Sequence, residues 1–250
     1  MKYTVLTYIF CGYEKVHEVV ERDPDADYVL VTDDPSLESS TWRVIYDSTL
    51  DGLSPFDKCY QVRFHPFRYA ITDIVVRIDG SIKVKKSIAP LIDEFEAKNY
   101  DRCLMIHPAR NRMEDEYKVW VRYRGYPVSQ MERCLTMMRK LGYNFGYRGL
   151  YQGCFEIVRN NEVNRELNEL TFALLRYLGK DGRIERLDQT ITSFVANSLF
   201  DSRLKVLPVS ESLVTKSEYL QWHIHNSDRI IHDAPKIQPF LFDEPCKVWL

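Results

Sequence analysis

Several short segments carry residue types suited to chemistry, and most of them follow a run of β-forming residues. Asp79-Gly80-Ser81 follows Ile74–Ile78 (IVVRI) and precedes Lys83, Lys85 and Lys86. A carboxylate at a strand end, beside a glycine that admits a ligand to the backbone, suits a divalent cation or a phosphate. A plain β-turn has the same composition. Thr32-Asp33-Asp34-Pro35 follows Asp27–Thr32, and there Asp34 either hydrogen-bonds a ribose or base or sets an Asp-Pro turn. His107-Pro108-Ala109-Arg110 follows Cys103–His107 and runs into Glu114-Asp115-Glu116. That group either binds a polyhydroxylated or anionic ligand or is an acidic first helical turn behind a loop. Gly149-Leu150-Tyr151-Gln152-Gly153 either brings backbone close to a ligand at Gly153 or is a loop entering a strand. Asp188-Gln189 opens a helix, where Asp188 is either an N-cap or a working carboxylate. His223-x-His225 places two imidazoles on one face of an extended segment, a spacing able to ligate a metal, and His232 and Lys236 follow.

Other chemistries lack their atoms. Phosphatases of the haloacid-dehalogenase type use Asp-x-Asp-Gly-Thr with the first Asp as nucleophile, and that position here is Arg77. The order of glycines fits neither GxxxxGK[ST] nor GxGxxG. With only ten glycines in 250 residues, a phosphate-cradling glycine loop is not expected. The six cysteines form no CxxC pair, which points to buried thiols in a reducing, cytoplasmic compartment rather than to bridges or zinc. A net charge of −2 leaves no broad electrostatic footprint for nucleic acid. No apolar run approaches the roughly 18 residues of a membrane span, and the N-terminal segment alternates like a strand, not a leader.

The elements that must position these residues alternate in type. Tyr3–Phe10, Asp27–Thr32, Trp42–Tyr46, Ile74–Ile78, Cys103–His107 and Tyr151–Val158 are rich in Val, Ile, Tyr and Thr and read as strands. Ser54-Pro55 starts one helix, with a capping Ser and Pro at the first helical position. Ser129-x-x-Glu132 reads as a capping box, and Asn164–Leu178 and Asp188–Leu199 as two further helices. Strands followed by helices predict an α/β fold with a mostly parallel sheet covered on both faces. Residues 1–210 are expected to form the domain and 211–250 an extended tail packing back on it.

In this order the motifs resemble a glycosyltransferase-like family known from plant mucilage and pollen proteins and also found in bacteria. The matching features run from Tyr8-Ile9-Phe10-Cys11-Gly12-Tyr13 through Thr32-Asp33-Asp34-Pro35, Trp42 and a basic helix with Lys58, Arg63 and His65. They continue through Ile78-Asp79-Gly80-Ser81, His107-Pro108-Ala109-Arg110, Gly149-Leu150-Tyr151 and Asp188-Gln189, covering roughly residues 3 to 200. The chain is similar, more distantly, to glycogenin-type and lipopolysaccharide galactosyltransferases. The resemblance implies a GT-A fold and transfer of a sugar from a nucleotide-sugar donor, most simply a UDP-sugar, to a glycan or other hydroxyl acceptor, in surface polysaccharide biosynthesis. No nucleic-acid partner is implied, and peripheral membrane association is compatible with it. It assigns Thr7, Tyr8 and Asp34 to the nucleoside, and Arg63, Gln152 and Gly153 to the donor sugar. Asp79, Gly80, Ser81 and Lys236 fall to the diphosphate, Asp79 and His232 to a divalent metal (Mn²⁺ or Mg²⁺), and Asp188 to the reaction centre. Ser81 stands where the family's second Asp would be, and a neutral hydroxyl is a weaker ligand for a hard cation. That departure leaves a non-catalytic nucleotide-sugar or carbohydrate-binding module as the alternative. A nucleotidyltransferase is the remaining one, but Cys11-Gly12-Tyr13-Glu14 is neither glycine-rich nor basic.

Overall fold

In the computed structural model, which describes residues 2–123, 127–142, 149–179, 187–223 and 225, β and α segments alternate along the chain. The order is β1 (Tyr3–Ile9), β2 (Ala26–Thr32), β3 (Arg43–Tyr46), α1 (Pro55–Phe64), β4 (Ile74–Ile78), β5 (Ile82–Val84), α2 (Ala89–Ala97) and β6 (Arg102–Ile106). Next come α3 (Met113–Tyr123), α4 (Val128–Lys140), β7 (Tyr151–Arg159), α5 (Glu162–Leu178), α6 (Asp188–Phe194), β8 (Val206–Val209), α7 (Ser212–Thr215) and β9 (Leu220–Trp222).

Among the described residues the main sheet has seven strands in the order β3-β2-β1-β4-β7-β6-β8, and β5 pairs with β9 in a separate ribbon. All main-sheet pairings are parallel except those of β7, which runs antiparallel to both β4 and β6. Every residue of β1, β2 and β4 is buried. Period-two alternation then sends neighbours to opposite faces. Val5 and Ile9 join the core with Trp42, Ile92 and Phe95, while Leu6 and Tyr8 join Val29, Val62 and Val75 on the other face. A third cluster under α1 and α3 to α6 holds Tyr60, Phe64, Trp120, Met131, Leu167 and Phe194. The expected mostly parallel α/β sheet with both faces covered is therefore the observed one. Among the described residues no helix is long and apolar enough to cross a membrane.

Two local expectations differ. The helix at 128 begins on Val128 with Pro127 in the cap position, so Ser129 lies inside it and makes no cap. Pro127 presets the entry angle, which displaces the capping box. The segment expected to be extended from 211 carries α7 and β9 in its described part, and residues 226–250 lie outside the described residues.

Candidate functional site

The chain passes from β1 through β2 to β3 on one side, then returns to place β4 on the other side of β1. That reversal opens a crevice at the carboxyl ends of β1 and β4, where open α/β sheets bind ligands. A cleft of about 710 Å³ lies there. Tyr8, Phe10 and Cys11 line it from the end of β1, Asp79 from the end of β4, and Gln152, Gly153 and Cys154 from β7. Phe56, Tyr60 and Arg63 of α1 form one wall, Asp188 and Gln189 of α6 another, and Trp222 of β9 closes a third.

Local chemistry explains why these elements hold still. Ser54 Oγ accepts the N–H of Asp57 at 3.2 Å and Pro55 occupies the first helical turn, so α1 starts where the sequence predicts. Lys58 Nζ then reaches Asp33 Oδ2 at 2.7 Å, and Asp33 Oδ1 accepts the N–H of Cys11 at 2.8 Å. Cys11 and Gly12 both have positive φ (54° and 61°), forming the tight turn that ends β1. Tyr13 folds back so that its hydroxyl donates to the Tyr8 carbonyl at 3.2 Å and accepts the Gly80 N–H at 3.3 Å. A Cβ on Gly80 would lie 2.8 Å from that hydroxyl, which is why glycine follows Asp79. On the opposite wall, Ser193 Oγ accepts the Tyr151 N–H at 2.9 Å, and Asn197 Nδ2, in the helical turn Val195–Leu199 after α6, donates to the Gly149 carbonyl at 2.6 Å, docking α6 and that turn on the entry to β7.

The floor is a buried ionic network centred on Glu156, which is 1% exposed. Glu156 stands directly across from Arg77 in the β4–β7 register. Arg77 Nε donates to Glu156 Oε1 at 2.5 Å, and Arg102 donates to Oε2 from Nε at 3.0 Å and Nη2 at 2.6 Å. Arg63 Nε lies 3.7 Å from Oε1. Burial alone would raise the Glu156 pKa, but Arg102, Arg77 and Arg63 outweigh it and hold the carboxyl well below the usual range. Arg77 Nη1 extends to Asp79 Oδ1 at 3.2 Å, and its Nη2 donates to the Gly153 carbonyl. Arg63 Nη1 donates to Asp188 Oδ2, and Tyr60 donates to Asp188 Oδ1 at 2.7 Å. Both carboxylates face the cleft, Asp79 with 37% and Asp188 with 19% of its side chain exposed. Burial of its surroundings raises the Asp79 pKa, with Arg77 and Arg63 opposing.

A third pair sits beyond β6. Arg110 Nε lies 2.5 Å from Glu116 Oε2, and Trp120 donates its indole N–H to Glu116 Oε1 at 3.0 Å. His107 is a loop staple, its Nδ1 accepting the N–H groups of Ala109 and Arg110, each at 3.1 Å. Burial and then Arg110 push its pKa down to about 3, so the imidazole is neutral.

The cleft thus brings together Tyr8, Arg63, Asp79, Gln152, Gly153 and Asp188 from the residues assigned by sequence. Others lie elsewhere. Asp34 is exposed and accepts from Ser36 N at 2.8 Å and Ser36 Oγ at 2.6 Å, which is turn chemistry, and its neighbour Asp33 holds the cleft mouth instead. Ser81 is buried and its carbonyl accepts the His223 N–H at 2.9 Å, while Thr7 is buried within β1. Asp188 is not an N-cap, since Leu187 holds that position and the carboxylate turns to α1. His223 packs its ring 4.4 Å from His17, whereas His225 bonds Glu14 at 2.9 Å, so the two histidines do not share a ligand position. His232 and Lys236 lie outside the described residues.

Among the described residues the cleft does not assemble a donor set for a divalent cation, and His232, expected to contribute to one, lies outside them. Among the described residues no three His, Cys, Asp or Glu side chains converge on one point. The carboxylates lining the cleft are each held by an arginine: Asp79 by Arg77, Asp188 by Arg63 and Glu116 by Arg110. Ser81, expected beside Asp79, is turned into the protein.

Glu156, Tyr60 and Asp33 are the residues that sequence reasoning passed over. One signal was there for the first of them: a lone charge within each of the apolar runs IVVRI and CFEIV needs a buried partner. No protein-family model matches the chain, and no curated protein matches it.

Proposed function

We propose that the chain is a glycosyltransferase that moves a sugar from a nucleotide-sugar donor, of the UDP-sugar class, to a hydroxyl of a glycan or smaller acceptor. The observation that carries this reading is the cleft at the sheet's switch point, faced by Asp79 and Asp188, which arginines hold in place. Phe56 and Trp222 offer it aromatic surface for a base or a sugar ring. Gln152 Oε1 and Gln189 Nε2 are buried without hydrogen-bond partners in the protein, one acceptor and one donor suited to sugar hydroxyls. The resemblance to the mucilage and pollen family points the same way and suggests surface polysaccharide assembly.

In the reaction, the acceptor oxygen bonds to the anomeric carbon as the bond from that carbon to the diphosphate breaks, the bond's electron pair leaves with the diphosphate, and the acceptor hydroxyl's proton passes to solvent. Asp188, fixed at both oxygens by Arg63 and Tyr60, orients the reacting groups. Arg63 and Arg110 are the guanidinium groups lining the cleft, and they supply electrostatic stabilisation to the departing diphosphate. Asp79 accepts a hydroxyl of the donor on the carboxylate edge that Arg77 leaves open.

A thermal-shift panel of nucleotide sugars, each with and without Mn²⁺, followed by assay of donor turnover, tests the proposal. Stabilisation by one donor with turnover supports it. A second reading, a binding module without catalysis, is favoured by the arginine held against Asp79 where a metal ligand was expected. Donor binding with neither transfer nor hydrolysis would establish that reading, and no binding by any donor would sink both.

A further inference from the structure

Glu156 does not itself line the cleft, yet two of the cleft's carboxylates, Asp79 and Asp188, are linked to it through arginines. The chain of contacts runs two ways. One passes through Arg77, whose Nε meets Glu156 and whose Nη1 meets Asp79. The other passes through Arg63, which makes an ion-pair contact with Glu156, 3.7 Å at Nε with no hydrogen bond there, and is bonded to Asp188 at Nη1. A planar guanidinium presents its donors in a fixed fork, so anchoring one edge of Arg77 aims the other, while Glu156 holds Arg63 by charge across the ion pair. Arg102 shares the same carboxylate but reaches no cleft residue, its Nη1 donating instead to Asn168 Oδ1 at 2.8 Å. We propose that Glu156 is a positioning residue that aims Asp79 through Arg77 and Asp188 through Arg63, and so sets the cleft geometry on which the transferase reading rests.

The competing account is that Glu156 only neutralises buried arginines. Arg102 separates the two, because it contributes charge to the network but touches neither Asp79 nor Asp188. Glu156→Gln alone leaves three guanidinium groups short of a buried carboxylate and is expected to fold poorly. Combining Glu156→Gln with Arg102→Met removes one buried charge of each sign. If neutralisation were the whole role, this double variant would match wild type in every respect.

The positioning role predicts a split. The double variant regains most of the lost melting temperature, but in its crystal structure the Arg77–Asp79 and Arg63–Asp188 pairs are displaced. Its Kd for UDP, measured by calorimetry, rises about tenfold or more. Both pairs in place, with a UDP Kd within about twofold of wild type, would overturn the proposal. If the double variant does not fold, Glu156→Asp decides, since it keeps the charge and loses one methylene of reach: intact pairs and unchanged UDP affinity reject positioning. If wild type itself does not bind UDP, the donor reading fails, and the arginine–carboxylate geometry of the variants alone judges Glu156.

Discussion

A Cβ added at Gly153 would come within 2.7 Å of both Nη atoms of Arg63, and its own carbonyl already accepts from Arg77. The missing side chain is what lets two guanidinium groups lie against β7. Gly153→Ala is therefore expected to displace Arg63 from Asp188 and destabilise the fold by about 1–3 kcal/mol, read from urea unfolding. His107 offers a pH-resolved counterpart. Its pKa falls from 6.5 to about 3 on folding, so the native state binds fewer protons between those values. The contribution of its two hydrogen bonds is complete above 6.5 and is lost as the pH falls toward 3. His107→Ala should cost about 1 kcal/mol near neutral pH, with the gap to wild type closing as unfolding is repeated at lower pH. A constant gap would contradict a neutral imidazole staple. At this scale Asp79, Gly153 and Asp188 were legible because each stands next to a strand end or helix start that composition marks. Glu156 was not, because its meaning depends on standing opposite Arg77, and register across a sheet is invisible in one sequence. Asp33 and Asp34 are adjacent and chemically alike, so only the fold could say which holds Lys58 and which makes a turn.

Among the elements, those with strong local chemistry were legible almost to the residue. Helix α1 starts after Ser54 because its cap and its proline agree, and β1, β2 and β4 are dense in β-branched and aromatic residues. The consequence for the cleft is specific, because one helix then carries Lys58 to Asp33 and both Tyr60 and Arg63 to Asp188. Elements held by tertiary contacts were less readable. Strand β5 is three residues long and exists because β9, well over a hundred residues later, pairs with it. Helix α2 begins at Ala89, behind Ile88, which supplies no side-chain cap, and it buries only Ile92 and Phe95 within its length, so little in its local sequence marks it. The start of α4 shows two local signals in conflict, with proline geometry at 127 prevailing over a capping box two residues later.

For the molecule as a whole, the decisive event is the reversal of strand order between β1 and β4, which makes one crevice the natural place for a ligand. Composition could predict the mostly parallel sheet, but not that β7 would enter antiparallel between β4 and β6 and carry Glu156 and Gly153 under the cleft. The ribbon of β5 and β9 adds a second link, since β5 leaves directly from Asp79-Gly80-Ser81 and β9 ends in Trp222 at the cleft wall. The C-terminal part of the fold is thereby coupled to the strand end that carries Asp79. Leu220 is the buried anchor of that coupling, 1% exposed and packed into the cluster that holds Ile82, Val84 and Val214. Leu220→Ala should remove about 2–4 kcal/mol of packing. Amide hydrogen exchange separates a local consequence from a global one. If β9 serves as a clasp on the cleft, exchange accelerates first in β5, β9 and the Asp79–Ser81 turn, while β1 and β2 keep their protection. Uniform acceleration across the sheet would instead make β9 part of one cooperative core, with no separate hold on the strand end.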